Sequence, residues 1–299
     1  MTKEQQLMKG YAIQKRAGKI IFPVVVEHKH DEIRAHLKIR CSPDGSELLW
    51  DVVSYAGKPL ANCHHMFEDL AKVAYNLRYL EVDCGFEVNG NYDDSYRYVR
   101  STTGVPDDLQ NAAIKIYVYD LPENQNGYVK RLPYINELVF RANNRRLLGQ
   151  GFEYFTVQRL GIIETVEELD AHLESMFQGA LDNGYEGLML KTTHGVYERK
   201  RSKYVIKVKP EDHADGKIVG MQEAVSLKGE PLGRVGSLQV VLEDGSTASI
   251  PGIKHELATE LWVNRDQYIG KQWLEFKYME RDRQGGYRHP RFFRLREEK

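Results

Sequence analysis

Long apolar runs are missing from this 299-residue chain, which excludes a membrane-spanning helix of the usual ~20 apolar residues. Cysteine is scarce. Cys41, Cys63 and Cys84 are an odd number without metal-ligand spacing, which argues against a disulfide framework and fits a reduced cytoplasm. The first ten residues, MTKEQQLMKG, lack an apolar core, so no secretory signal is expected. Charge of one sign is not in excess either. A net charge of −1 gives no bulk reason to expect a nucleic-acid partner. Repeats and low-complexity tracts are absent. What remains is an ordinary globular composition, long enough for two domains with full cores.

Charge becomes informative locally. Residues 191–209 hold seven cations (Lys191, Arg199, Lys200, Arg201, Lys203, Lys207, Lys209) against one acid, Glu198. Residues 277–296 hold seven more (Lys277, Arg281, Arg283, Arg288, Arg291, Arg294, Arg296) against Glu280 and Asp282. Two such patches suit a phosphate backbone, although either alone reads equally as a solvated face.

The patterning predicts a polar tail or short helix over 1–19, then a strand over 20–26 whose Pro23 implies an edge or an irregular start. Ala35, Leu37 and Ile39 alternate with Arg34, His36, Lys38 and Arg40, and a Pro43-Asp44-Gly45-Ser46 turn returns the chain at 48–53 as an antiparallel hairpin. Helices are expected over 62–80, from Pro133 to about 146, and from a Thr165/Glu168 capping box to Gly184. The acidic, tyrosine-rich 91–108 reads as loop. Strands are expected over 81–88, 114–121, 188–191 and 204–209. After a polar linker at 210–215 the pattern turns to short strands, tight turns and one helix over 254–263, as in a small barrel. The expected domains are 1–212 and 213–299.

Chemistry concentrates at 24–34. Three valines run straight into Glu27, Lys29, Asp31 and Arg34, more charge than a strand end needs for packing, although a solvated strand end is the plain alternative. Lys207 and Lys209 lie two apart in a strand and so share a face, with Val205. Side-by-side ammonium groups repel, and an anion such as phosphate relieves that; a basic edge strand that blocks aggregation is the alternative. His28 with His30, and His64 with His65, lack a third ligand at zinc spacing.

Taken together these residues resemble the covalent nucleotidyltransferases, and among them the ATP-dependent DNA ligases, in particular the small two-domain ligases of short-tailed bacteriophages. Residues 27–34 (EHKHDEIR) are similar to the nucleophile motif Glu-x-Lys-x-Asp-Gly-x-Arg, and Gly85-Phe86-Glu87 stands where the family has Asp-Gly-Glu. Residues 116–120 (IYVYD) resemble the strand whose aromatic ring stacks on the purine, and 186–191 (EGLMLK) are close to the fourth motif. Lys207-Val208-Lys209 resembles the fifth, and Arg296-Glu297-Glu298-Lys299 the closing Arg-x-Asp-Lys. The likeness runs from about Val24 to Lys299.

The resemblance implies an α+β fold. A nucleotidyltransferase (adenylation) domain of antiparallel sheets flanked by helices would precede a C-terminal OB-fold β-barrel. It implies a soluble monomer that seals nicks in double-stranded DNA, as in replication, repair and recombination. Lys29 would attack the α-phosphorus of ATP to form lysyl-AMP, and AMP would pass to the 5′-phosphate before the 3′-hydroxyl displaces it. A lysine of pKa about 10.4 needs cationic neighbours to lose its proton, and Arg34, Lys207, Lys209 and a bound metal would serve, with Asp31 in the catalytic set. Glu87 and Glu186 would hold ribose or Mg²⁺ (or Mn²⁺). Tyr117 or Tyr119, with Tyr117 favoured, would stack on adenine, and Glu27 and the backbone at His28 would read its amino group. Arg296 and Lys299 would orient pyrophosphate, with 212–215 as the hinge.

Four positions depart from the family, the mildest being Glu298 for aspartate in the closing motif. Glu32 and Phe86 replace glycines, and Tyr55 stands where many ligases have Ser-Arg. The other readings are an RNA ligase or a GTP-using capping enzyme, which share the lysine chemistry, and an inactive nucleic-acid-binding relative, which Glu32 and Tyr55 would favour.

Overall fold

The structure is a computed structural model that describes residues 7–13, 19–145, 151–279, 281 and 285–296. The chain divides into two compact units, Met1–Val208 and Lys209–Lys299.

The first unit is built on two five-stranded sheets. One has the order β1-β10-β9-β2-β8, formed by β1 (Lys9–Ala12), β2 (Val24–Lys29), β8 (Arg159–Ile163), β9 (Gly187–Thr192) and β10 (Arg201–Val208). The other has the order β4-β3-β5-β6-β7, formed by β3 (Ile33–Cys41), β4 (Leu48–Ser54), β5 (Glu81–Val88), β6 (Ile114–Asp120) and β7 (Phe152–Thr156). Most pairs are antiparallel; β1–β10 and β6–β7 are parallel.

Each sheet packs one face against helices and turns charged residues to the other, as period-two alternation requires. In the second sheet Ala35, Leu37, Val82, Phe86 and Ile116 meet Leu70, Ala71 and Ala74 of α1 (Glu68–Asn76) and Ile135, Leu138 and Ala142 of α3 (Tyr128–Arg145) in one core. In the first sheet Val24, Val26, Leu188, Leu190, Ile206 and Val208 meet Leu169 and Ala180 of α4 (Val166–Asp182). Each large side chain buried this way contributes about 1.5–3 kcal/mol.

The expected hairpin is present, with Ala35 opposite Ser54 and Ile39 opposite Trp50. The Thr165 hydroxyl caps α4 by accepting from the Glu168 amide at 3.2 Å, and Gly184 follows the helix at φ +81°.

Four local expectations are corrected. Within 1–19, Lys9–Ala12 forms β1 rather than a tail, because its backbone completes the edge beside β10. Pro23 does not make β2 an edge: it sits just outside the strand, and β2 runs between β9 and β8. The segment read as loop contains α2 (Tyr92–Arg100), capped by the Asn91 side chain accepting from Asp94 N at 2.8 Å. Its Asp93 and Asp94 lie in the first turn and Arg97 and Arg100 in the last, the order that suits the helix dipole. Helix α3 begins at Tyr128, five residues before Pro133, which lies inside it.

The second unit is one antiparallel sheet of order β13-β12-β11-β14-β15. Its strands are β11 (Asp212–Val225), β12 (Pro231–Val241), β13 (Thr247–Pro251), β14 (Trp273–Tyr278) and β15 (Arg291–Leu295). Helix α5 (His255–Val263) packs Ala258 and Leu261 into the core made by Ile218, Leu238, Val240, Ile250, Leu274 and Phe276. A short α6 (Arg265–Tyr268) follows. This order, with the helix between third and fourth strands, is OB-like. Among the described residues no ladder joins β13 to β15, so the OB-type barrel is an open one. Residues 212–215, expected to be a hinge, belong to β11 and pair with 275–278 of β14.

One buried ion pair locks the first unit. The Arg131 guanidinium is 0% exposed; Nε and Nη2 donate to Asp120 at 2.6 and 2.8 Å, and Nη1 donates to the Gly195 carbonyl at 3.0 Å. Arg131→Leu leaves Asp120 charged and unpaired, and should cost about 3–5 kcal/mol in urea denaturation. A loss under 1 kcal/mol would show that the pair is not buried in solution.

Candidate active site

A cavity of about 280 Å³ opens between the two sheets of the first unit. The first sheet supplies Glu27, Lys29, Met189, Lys191, Val205 and Lys207 to its wall, and the second side supplies Glu32, Arg34, Asp83 and Tyr119. Glu32 apart, which lies between β2 and β3, these alternate with core residues on their own strands, so the strand period that buries the valines also delivers the charges.

The charges are arranged in pairs. Lys29 Nζ contacts Glu186 Oε2, which stands just ahead of β9. Lys191 Nζ lies 2.8 Å from Glu27 Oε2, and Glu27, 1% exposed, also takes the Tyr128 hydroxyl and has Arg159 Nε at 3.4 Å. Burial opposes the charge on Lys191, but Glu27 and Tyr128 more than offset it and hold its pKa above the lysine range. Arg34 grips Asp83 with Nε at 3.0 Å and Nη2 at 2.6 Å, and Tyr197 donates to the same carboxylate at 2.8 Å.

The site residues expected from sequence separate into three groups. Glu27, His28, Lys29, Arg34, Tyr119 and Lys207 line the cavity, and Glu186 touches Lys29 from its rim. Asp31, Glu87 and Tyr117 do not line it. Glu87 Oε1 accepts from the Tyr117 hydroxyl at 2.9 Å and lies 3.4 Å from Lys115 Nζ. The Tyr117 ring packs on His30, centroids 3.9 Å apart. Tyr119 therefore replaces Tyr117 as the aromatic side chain offered to the cavity. Lys209 and Arg296 fall in the second unit. Strand β10 ends at Val208, so Lys209 does not extend the shared strand face with Lys207; its Nζ lies 3.0 Å from Met279 Sδ. Arg296 pairs with Asp215 at 3.0 Å. Lys299 lies outside the described residues.

Sequence reasoning missed several lining residues. Met189 and Lys191 sat inside the quoted fourth motif, and their period-two spacing was the available signal. Lys9 had none. It reaches the cavity because β1 pairs with β10, and its Nζ sits 3.4 Å from the centroid of Tyr55. A cation thus stands beside the position where the family's Ser-Arg was expected.

His30 and Glu32 also carry displaced pKa values. Burial, reinforced by His28, Lys29 and Lys115, pushes His30 down to about 4, so it is neutral beside Lys29. Burial pushes Glu32 up to about 8, against the pull of Lys29 and Arg34. Glu32 is half-buried as a residue, while its Oε2 is sealed from solvent.

No family model matches the chain. In sequence it is 32% identical over 195 residues to the DNA ligase of Enterobacteria phage T3, an alignment covering 62% of this chain and 52% of that one. The chain spans about half the length of the curated relatives it matches. In fold it is similar to a Lig E DNA ligase, with TM-score 0.67 and 22% identity over 97% of this chain and 98% of the other. It is also similar to the ATP-dependent DNA ligase of bacteriophage T7 in complex with ATP, with TM-score 0.54 and 18% identity over 99% and 100%. The chain therefore has the DNA-ligase fold, α+β with an OB-like second unit. No helix among the described residues is long and apolar enough to cross a membrane.

The Glu32 shift has a definite sign. Between the ordinary value of 4.5 and about 8, the folded chain keeps a proton that the unfolded chain has released. Stability is therefore lost as pH rises through that window and is level above it. Glu32→Gln removes this loss. Its melting temperature relative to the parent chain should climb from pH 5 to pH 8 and then stay constant; a pH-independent difference would show that the carboxyl is solvated.

Proposed function

We propose that the chain is an ATP-dependent DNA ligase acting on nicked double-stranded DNA through a lysyl-AMP intermediate. The observation that carries this reading is Lys29 in a cavity between two sheets, its Nζ against Glu186, with Lys191 and Lys207 in the same wall. ATP is named in the description of the phage T7 structure that shares the fold, and DNA ligase in that of the phage T3 relative.

The residues then divide the work. The Lys29 ammonium first gives up a proton; the free amine attacks the α-phosphorus, the N–P bond forms as the bond to pyrophosphate breaks, and a second N–H proton is then lost, to solvent or pyrophosphate. Glu186, in contact with that nitrogen, is placed to take the first proton. Lys207 and Lys9 put positive charge on the cavity wall where the phosphates would lie. The pair Glu27–Lys191 is internally neutral, so it shapes the base pocket and leaves adenine reading to the backbone at 27–28. Tyr119 and Met189 offer the ring and thioether faces that would enclose the base. AMP passes from Lys29 to a 5′-phosphate, and the 3′-hydroxyl of the nick displaces it.

Mg²⁺ on a triphosphate needs only one or two protein carboxylates. Glu186, at the cavity rim beside Lys29, fits that need, whereas Glu87 is engaged by Tyr117 and Lys115. The ion would neutralise the α-phosphate and the departing pyrophosphate. In the second unit, Phe293 is exposed with Lys277 Nζ 4.5 Å and Arg294 5.6 Å from its ring, a cation-rich aromatic surface suited to a nucleic-acid backbone. Closure of the two units over ATP, and action as a monomer, belong to the same proposal.

Incubation with α-labelled ATP and Mg²⁺, followed by denaturation and intact mass measurement, should add one AMP per chain. Lys29→Ala should abolish the adduct, and Lys207→Ala should slow its formation by about 10²-fold or more. Label from GTP alone would assign the chain to capping chemistry. No label from either nucleotide, on protein verified as unmodified, would leave a binding module.

A further inference from the structure

We infer that Glu32 recognises the sugar hydroxyls of the bound nucleotide, in place of Glu87. The inference rests on the reading of the inter-sheet cavity as a nucleotide site.

Three observations converge on Glu32. The first is a displacement. Glu87, the carboxylate that the motif pattern offers, accepts from Tyr117 at 2.9 Å, has Lys115 at 3.4 Å, and does not line the cavity. Glu32, which stands where the motif has glycine, does line it.

The second is a matched fit. The Glu32 carboxyl lies flat over Gly85 on β5. A Cβ at position 85 would fall 1.3 Å from Glu32 Oε2 and 2.4 Å from Cδ. Glycine at 85 is therefore what admits the carboxyl, and the bulk added at 32 is accommodated by the side chain absent at 85.

The third is unmet hydrogen bonding. Glu32 Oε2 and Tyr119 Oη are both shielded from solvent. They interact with each other outside good hydrogen-bond geometry, and among the described residues neither has any other hydrogen-bond partner. Groups left so are costly unless a ligand satisfies them. A carboxyl beside a phenol can both accept and donate, which matches a pair of vicinal hydroxyls.

The Lys29 charge acts on the Glu32 carboxyl, which sets the two near each other in the cavity. With the α-phosphorus at Lys29, the sugar is one phosphoester link away, and Glu32 follows Lys29 by three residues on the opposite wall. The nearest alternative, Asp83, already satisfies both its oxygens with Arg34 and Tyr197.

Titration calorimetry of the full chain with ATP, 2′-deoxyATP and 3′-deoxyATP tests this without requiring turnover. The unaltered chain should bind ATP about tenfold or more tightly than at least one deoxy analogue. Glu32→Gly should reduce that ratio to about twofold by weakening ATP alone, while Glu32→Gln, which retains a donor and an acceptor, should stay within about threefold of the parent ratio. Gly85→Ala, which evicts the carboxyl but leaves Glu32 in the sequence, should behave as Glu32→Gly does. Equal binding of all three nucleotides by the parent chain, or full discrimination retained in both Glu32→Gly and Gly85→Ala, overturns the assignment. A chain that forms lysyl-AMP without discriminating sinks this inference alone. One that discriminates through Glu32 but never forms the adduct sinks the ligase reading alone.

Discussion

Two antiparallel strands hold the cavity together by crossing their charges. Strand β2 reads Glu27 then Lys29; the chain entering β9 reads Glu186 and, five residues on, Lys191. The strands run in opposite directions, with Glu27 opposite Met189 and Lys29 opposite Gly187. The lysine end of β2 therefore meets the acidic end of β9, and the acidic end of β2 meets the lysine of β9. Both pairs depend on a single register. A slip of β2 by one residue would turn Glu27 and Lys29 toward α4, away from Lys191 and Glu186, and bring Val24 and Val26 into the cavity. The burial of those valines thus fixes the chemistry on the other face, and neither could be shifted alone.

The second wall obeys the same constraint through different partners. Arg34 and Asp83 come from paired strands β3 and β5, and Tyr197, from the β9–β10 connection, reaches across to the same carboxylate. The Tyr197 hydroxyl in turn accepts from the Met8 amide at 2.9 Å, just ahead of β1. Sheet to sheet, this polar and directional network stands beside a small apolar cluster of Met8, Tyr197, Val205, Tyr55 and Met189. That leaves a space able to take charged phosphates without closing on itself. In a low-dielectric setting each cation must have its own counter-charge before substrate arrives, and Arg34, Lys29 and Lys191 all do.

This economy explains what was legible in the sequence. Charge placed on a hydrophobic strand is conspicuous because it is costly, so Lys29, Arg34, Glu186 and Lys207 could be found from their neighbours and ordered by motif. The two sheets followed from alternation and the α4 cap from Thr165 and Glu168. Strand β1 was illegible because it is four residues of ordinary composition whose strand character comes from an edge on β10, 190 residues away. Helix α2 was hidden by its acidic start, although Asn91 and the trailing arginines were there to be read as a cap and a dipole pattern.

Side-chain choice within a strand was the hardest to read. Tyr117 and Tyr119 share a face of β6, and linear reasoning gave no means to separate them beyond motif position. The sheet separates them: His30 and Glu87 occupy Tyr117, and only Tyr119 is left to the cavity. The departures from the motif pattern are resolved in the same way, each by a neighbour in space rather than in sequence. The bulk of Glu32 is received by Gly85, and Tyr55, where an arginine was expected, brings the Lys9 ammonium onto its ring. A substitution that looks damaging along the chain is thus one half of a pair across it. Such a pair is visible only once the strands are laid side by side, which is why motif matching located the cavity but could not say which of its carboxyls faces inward.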